Sequence, residues 1–214
     1  MPDIESTFQK FVQLVEDVVA PLTMNAPVVN RLAETATFRT FEKGAHLHEA
    51  DQVAGNLFFV NSGLIRYYYI DERAGEERTG QFFDANNVYT DVMSFGTQMP
   101  SSQYIQALEP SEILSIPRNA IYDAYSDDHA LERFGRLMFE RALIGSQVRT
   151  ASFMSESVEE RYRKLISARP GLARRIPQYI LATYLGITPE ALSRIRRRST
   201  QVESSNPGPG FSCF

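Results

Sequence analysis

Apolar positions change their period twice along the chain. Between residues 4 and 34, Phe8, Phe11, Val12, Leu14, Val15 and Val18 recur at helical spacing. A break at Pro21 separates them from a short second helix predicted over Pro27 to Ala33. From about 36 to 117 the runs shorten and become β-rich: TFRTF, EKGAHL, NLFFV, LIRYYYI, GQFF, QYIQAL and EILSIP. Turn signals lie between them at Lys43-Gly44, Asn61-Ser62-Gly63 and Asp71 to Gly75. Short strands with such punctuation predict a compact β-sandwich or barrel. Helical spacing returns at 118, with a short helix over Arg118–Ala124 and a long one starting near Asp127 or Asp128. Either aspartate suits the positive end of that helix.

The long helix carries a seam. Ala130, Phe134, Leu137, Arg141, Ile144, Val148 and Ala151 step by four and three residues alternately, with Arg141 as the one charged member. Gly135, Ala142, Gly145 and Ser146 lie nearby and would admit another surface closely. The seam predicts a homodimer with Phe134, Leu137, Arg141, Ile144 and Val148 on the dimer helix; the alternative packs both faces inside one subunit. A further helix is expected over 157–170, opened by Ser157 and Glu160 in capping-box spacing and ended by Pro170-Gly171. The last sixteen residues, STQVESSNPGPGFSCF, are rich in Ser, Pro and Gly and predict a disordered tail.

Composition narrows the class. Hydrophobic residues make up 43% and charged residues 22%, an ordinary globular balance. No run of about 18 apolar residues predicts a membrane span. The start, MPDIESTFQK, lacks the basic and apolar stretches of a secretory signal. Cys213 is the single cysteine, which excludes an intrachain disulfide and an iron–sulfur cluster, and no haem ligand set stands out. These readings place the chain in the cytoplasm, with no cofactor. The net charge of −4 conceals a segregation: residues 161–198 carry ten Lys/Arg against one acid, Glu190. A basic C-terminal module on an acidic body points to a polyanion for that module alone.

The segment IPQYILATYLGITPEALSRIRRR makes the polyanion specific. Pro177 can open a helix whose apolar face is Ile180, Leu181, Tyr184 and Leu185. Gly186 permits a left-handed turn. Thr188 caps a second helix that begins at Pro189 with Glu190 in its first turn, and Leu192 and Ile195 face inward. Two short helices about a glycine turn, the second rich in arginine, describe a helix-turn-helix for double-stranded DNA. Arg194 can donate two bonds to guanine and Glu190 can accept from cytosine. Thr188 and Ser193 stand beside them, and Arg196, Arg197 and Arg198 are assigned to backbone phosphates.

With these residues in view, SVEERYRKLISARPGLARRIPQYILATYLGITPEALSRIRRR resembles the DNA-binding end of the Crp/Fnr transcription regulators, and EKGAHLHEADQVAGNLFFVNSGLIRYYY resembles their sensor end. The resemblance implies an α+β fold. Its parts are an N-terminal antiparallel β-roll (a double-stranded β-helix or jelly roll) flanked by helices, a long dimerisation helix and a C-terminal winged helix-turn-helix. It implies a sensor domain over 1–126, a dimer helix and hinge over 127–154, a DNA-binding domain over 155–198 and the tail over 199–214. It also implies RNA polymerase as a partner and no enzymatic activity.

Two departures from the family pattern matter. Pro189 replaces the arginine that often opens the recognition helix. In the sensor, Thr90-Asp91 stands where cyclic-AMP binders have Gly-Glu, and Ser101-Ser102 stands for Arg-Ser. Without the arginine, a buried cyclic phosphate has no charge partner. The residues Asp91, Ser101, Ser102 and Tyr104 are therefore a ligand pocket not built for a cyclic nucleotide. The β-roll is then either a dimer scaffold or the sensor of an unidentified small molecule. A different class is a metal-dependent cupin-like enzyme using His46 and His48, with Asp51 near them; His129, in the helical region, gives it no third ligand.

Overall fold

The computed structural model describes residues 3–205. The chain forms two compact units, Met1–Ala151 and Ser152–Phe214. The first opens with α1 (Ile4–Val19), capped by Asp3 Oδ1 accepting from the Ser6 amide at 2.7 Å, and α2 (Ala26–Thr35). Strands β1 (Thr37–Phe41), β2 (His46–His48), β3 (Asn56–Ser62), β4 (Leu64–Asp71), β5 (Glu76–Asp84) and β6 (Asn87–Tyr89) follow. A short helix α3 (Val92–Thr97) precedes β7 (Tyr104–Ala107) and β8 (Ser111–Pro117), and then come α4 (Arg118–Asp127) and α5 (His129–Ser155).

The strands form two antiparallel sheets ordered β1-β8-β3-β6 and β2-β7-β4-β5. Alternation along each strand sorts the core into two layers. Phe58, Val60, Ile65, Ile105 and Ile113 meet between the sheets. Phe59, Leu114 and Ile116 face the other way, against Phe8, Phe11, Ile121 and Phe134 of the helices. In the β4–β5 hairpin Tyr67 pairs with Gln81 and Tyr68 with Thr79, which leaves Gly80 as the extra residue of a bulge. A Cβ on Gly80 would lie 1.8 Å from the Tyr67 ring, so only glycine lets that ring lie against the strand.

Asp128 caps α5, its Oδ1 accepting from the Leu131 amide at 2.8 Å. The seam on α5 divides. Ala130 and Phe134 are buried in the chain's own core and Leu137 packs at its edge, whereas Arg141, Ile144, Val148 and Ala151 are exposed. Phe134 is therefore a core residue, held edge-on to Phe11 with centroids 6.3 Å apart, rather than part of a dimer face. Gly135 likewise makes room inside the subunit: a Cβ there would lie 2.4 Å from the Tyr125 hydroxyl.

The second unit contains α6 (Val158–Ala168), α7 (Pro170–Arg175), α8 (Gln178–Leu185) and α9 (Pro189–Ser205). The Ser157–Glu160 capping box is formed in both directions. Proline 170 starts α7 instead of merely ending α6, because Arg169 before it takes an extended φ of −140°. Among the described residues of this unit there is no strand, so the expected wing is absent there. Between α6 and α8 stands α7; Leu172 within it and Ile176 just after it are buried while Arg174 between them is exposed, a helical rather than an alternating pattern. The tail expected from 199 is corrected over its first residues, since α9 continues to Ser205; residues 206–214, with Cys213, lie outside the described residues.

Candidate nucleic-acid interface

Local chemistry sets the turn between α8 and α9. Gly186 adopts φ 74°, ψ 33°, the left-handed region where a side chain would be strained. The Ile187 amide then donates to the Ala182 carbonyl at 3.0 Å and closes the end of α8. Thr188 Oγ1 accepts from the Ala191 amide at 3.3 Å and opens α9. Ile180, Leu181, Ala182 and Leu185 of α8 are buried, as are Leu192 and Ile195 of α9.

Burial of Leu192 and Ile195 fixes which side of α9 faces outward. Glu190, Arg194 and Arg197, spaced by four and three residues, lie on the opposite, exposed side, with half-buried Ser193 beside them. The Glu190 carboxyl is held below the usual carboxylate range by its own backbone amide, then the Thr188 hydroxyl, then Arg194. It presents an acceptor at neutral pH. The three C-terminal arginines do not act alike. Arg197 shares the face of Glu190 and Arg194. Arg196 lies on one flank with Arg174, and Arg198 lies on the other, 3.9 Å from Glu159. The helical repeat separates three consecutive side chains, so a common backbone role does not suit them.

Sequence reasoning missed the residue that supports this turn. Arg161, in the first turn of α6, donates to the Glu156 carbonyl at 2.8 Å and to the Leu185 carbonyl at 3.1 Å. Its guanidinium also lies 4.6 Å from the centre of the Phe153 ring. That ring sits 3.1 Å from where a Gly186 Cβ would be. The sequence marks Arg161 only as one basic residue among ten.

The pocket residues inferred in the β-roll do not surround a common space. Asp91 and Ser101 are buried and bonded to each other, Ser101 Oγ donating to Asp91 Oδ2 at 2.6 Å. Asp91 Oδ1 also accepts from the Met93 and Ser94 amides, which makes Asp91 the cap of α3. It accepts three bonds from its own neighbourhood and is 2% exposed, so it is committed to local structure rather than held open for a ribose hydroxyl. Ser102 is exposed. Tyr104 faces away from the layer between the sheets; its ring stacks on Tyr68 at 5.1 Å.

Aromatic rings occupy the interior instead. Tyr67 stacks on Tyr89 at 5.3 Å and 9°, and Phe83 closes on Tyr89 at 4.4 Å. The Tyr89 hydroxyl donates to Gln103 Oε1, and Gln103 Nε2 donates to the Tyr69 hydroxyl at 2.9 Å. Burial pushes the Tyr89 phenol well above its ordinary range, so it stays neutral. The fully buried Arg66, 1% exposed, is on the opposite face of β4 and bonds Glu77, Thr79 and Gln106. It supplies no cation between the sheets.

The metal-enzyme reading finds no support. His46 Nε2 lies 2.9 Å from the Tyr68 hydroxyl, whereas His48, two residues on and across a shift in the pairing register with β7, is buried at 7% exposure. Among the described residues no group of three or more His, Cys, Asp or Glu could hold a metal ion. No helix of the described residues is long and apolar enough to cross a membrane.

Comparison with known proteins agrees with both halves. Residues 38–128 match the family model of the cyclic nucleotide-binding domain. The chain is 24% identical over 201 residues to the fumarate and nitrate reduction regulatory protein of Vibrio cholerae, covering 88% of this chain and 79% of the relative. It is 26% identical to electron transport regulator A of Shewanella oneidensis, covering 83% and 75%. Among solved structures, FixK2 from Bradyrhizobium japonicum superposes with a TM-score of 0.70 at 19% identity, covering 84% of this chain and 89% of that one. A cyclic-nucleotide-binding-type roll and a helix-turn-helix on one polypeptide define a class of transcription regulator in which a sensor-type domain is built into the DNA-binding chain. Within that class the chain resembles the Crp/Fnr-type regulators, being similar along most of its length to the Vibrio and Shewanella proteins.

Proposed function

We propose that this regulator binds double-stranded DNA as a cytoplasmic homodimer and does not respond to cyclic AMP. The carrying observation is the exposed trio Glu190, Arg194 and Arg197, set opposite the buried Leu192 and Ile195 by a glycine turn. Arg194 donates to guanine, Glu190 accepts from cytosine, and Arg197 follows them along the groove. The exposed half of α5, with Ile144 and Val148 at 62% and 64% exposure, is the dimer contact. RNA polymerase is its partner at a promoter. An effector, where one exists, is a small molecule other than a cyclic nucleotide, because stacked Tyr67, Phe83 and Tyr89 lie between the sheets with no arginine among them.

Binding-site selection on random duplex DNA tests the reading. It should enrich a palindrome with half-sites about one helical turn apart. Arg194→Ala should cost on the order of 1–3 kcal/mol on that site and relax preference at one base pair. An unchanged selection with Arg194→Ala would remove the base-reading role, and no palindrome at all would remove the dimeric-regulator reading. Calorimetry with cyclic AMP and cyclic GMP should show nothing tighter than about millimolar.

A further inference from the structure

Two grooves flank the recognition helix α9, and they differ in charge. The first, of ≈ 240 Å³, is lined by Arg194 and Arg198 but also by Glu159, the carboxylate paired with Arg198. The second, of ≈ 350 Å³, has a floor that includes Ile166, Ile176 and Leu181 and is lined by Arg174 of α7, Arg196 of α9, Gln178 and Tyr162. Among the described residues, none that lines it is a carboxylate. Arg174 and Arg196 are exposed and come from different helices, so α7 brings to the flank of α9 a cation that the recognition helix itself does not contain.

We propose that this second groove is an anion seat for a backbone phosphate of the bound duplex, with Arg174 as its principal cation. The proposal rests on the DNA reading above and adds a contact from α7, a segment outside the helix-turn-helix. A helix lying in the major groove with Glu190, Arg194 and Arg197 toward the bases turns its two flanks toward the two sugar–phosphate strands. On the α6 flank the charge of Arg198 is offset by Glu159. On the α7 flank a phosphate meets Arg174 and Arg196 together with the donors of Gln178 and Tyr162, and arginine is well matched to phosphate geometry. The position of α7 therefore adds the Arg174 cation to that flank.

The test is a salt titration of the full-length dimer on duplex DNA, comparing the unmodified protein with Arg174→Ala, Arg174→Lys and Glu159→Gln. Each phosphate contact contributes about 0.9 to the log–log salt slope. Arg174→Ala should flatten the slope by about that amount and weaken specific and random duplexes by the same factor. Arg174→Lys should restore the slope, since it keeps the charge. Glu159→Gln should strengthen binding on both duplexes by freeing Arg198. A parallel titration with inorganic phosphate and pyrophosphate, without DNA, separates a free anion from the DNA backbone as the source. An unchanged slope in Arg174→Ala, in a protein that otherwise binds DNA normally, would overturn the seat and leave the DNA reading intact. Submillimolar pyrophosphate binding lost in Arg174→Ala, with an unchanged DNA slope, would reassign the groove to a free phosphoester. Absence of duplex binding by the unmodified protein would overturn the DNA reading itself, and this proposal with it.

Discussion

Replacing Arg161 by alanine should loosen the helix-turn-helix without touching its reading face. Arg161 holds the ends of two helices together, through the Glu156 carbonyl at 2.8 Å and the Leu185 carbonyl at 3.1 Å. A hydrogen bond from a charged donor is worth about 1.5–3 kcal/mol. The side chain is half-buried, so water can replace part of each bond, and the lower end of that range applies. The stacking on Phe153 at 4.6 Å adds about 0.5–1 kcal/mol. The loss should therefore be about 2–4 kcal/mol. A module of this size is stable by only about 3–8 kcal/mol, so the change is a large fraction of the whole. Hydrogen exchange read by mass spectrometry is the direct assay, because local opening of α8 and α9 sets the exchange of their amides. At about 1.4 kcal/mol per tenfold, amides in 178–198 should exchange roughly 30- to 1000-fold faster in Arg161→Ala, while those of β3 and β8 stay unchanged. Arg161→Lys should recover only part, since one ammonium lacks the planar fork that spans both carbonyls. Unchanged protection over 178–198 in Arg161→Ala would refute the assignment of Arg161 as the support of the turn.

Other perturbations read separate parts of the molecule. Gly135→Ala would ordinarily favour a helix by up to about 1 kcal/mol, but the new Cβ would lie 2.4 Å from the Tyr125 hydroxyl, so the unfolding free energy from denaturant titration should fall by about 1–3 kcal/mol, and by less in a Tyr125→Phe background. Charges introduced as Ile144→Glu and Val148→Glu should yield monomers by light scattering at micromolar concentration, with thermal unfolding of the β-roll intact, because both positions are exposed in the subunit. An unmodified chain already monomeric at that concentration would count against the dimer. Burial holds the His48 imidazole below its usual 6.5, against the opposing pull of Asp91 and then Glu49. The unfolded chain thus binds the proton more readily, and stability is complete above about pH 6.5 and falls as the pH drops through the window below it. Melting temperatures between pH 7.5 and 5 should decline less in His48→Gln than in the unmodified protein; parallel curves would remove His48 from the account.

The recognition module was legible residue by residue because its determinants are short-range. A left-handed glycine at 186, a cap at Thr188 and a first-turn acid at Glu190 act within one or two turns of chain, so the sequence alone specifies α8, α9 and the exposed side of α9. The alternating β runs and the capping box at Ser157 are local in the same sense. What the tertiary structure decided depends on distant partners. The α5 seam reads as one stripe, yet packing against Phe11 takes its first half into the subunit core and leaves Ile144 and Val148 outside. Asp91 reads as a free acceptor until Ser101, ten residues on, is brought within 2.6 Å of it. Gly80 reads as one more position of the β run GQFF until the hairpin register sets it under the Tyr67 ring. Arg161 and Arg174 are ordinary basic residues in the sequence; the contact of Arg161 with Leu185 and the shared groove of Arg174 and Arg196 exist only once α6, α7 and α8 are folded against α9. Periodicity determines which face of an element is apolar, but not which surface covers that face.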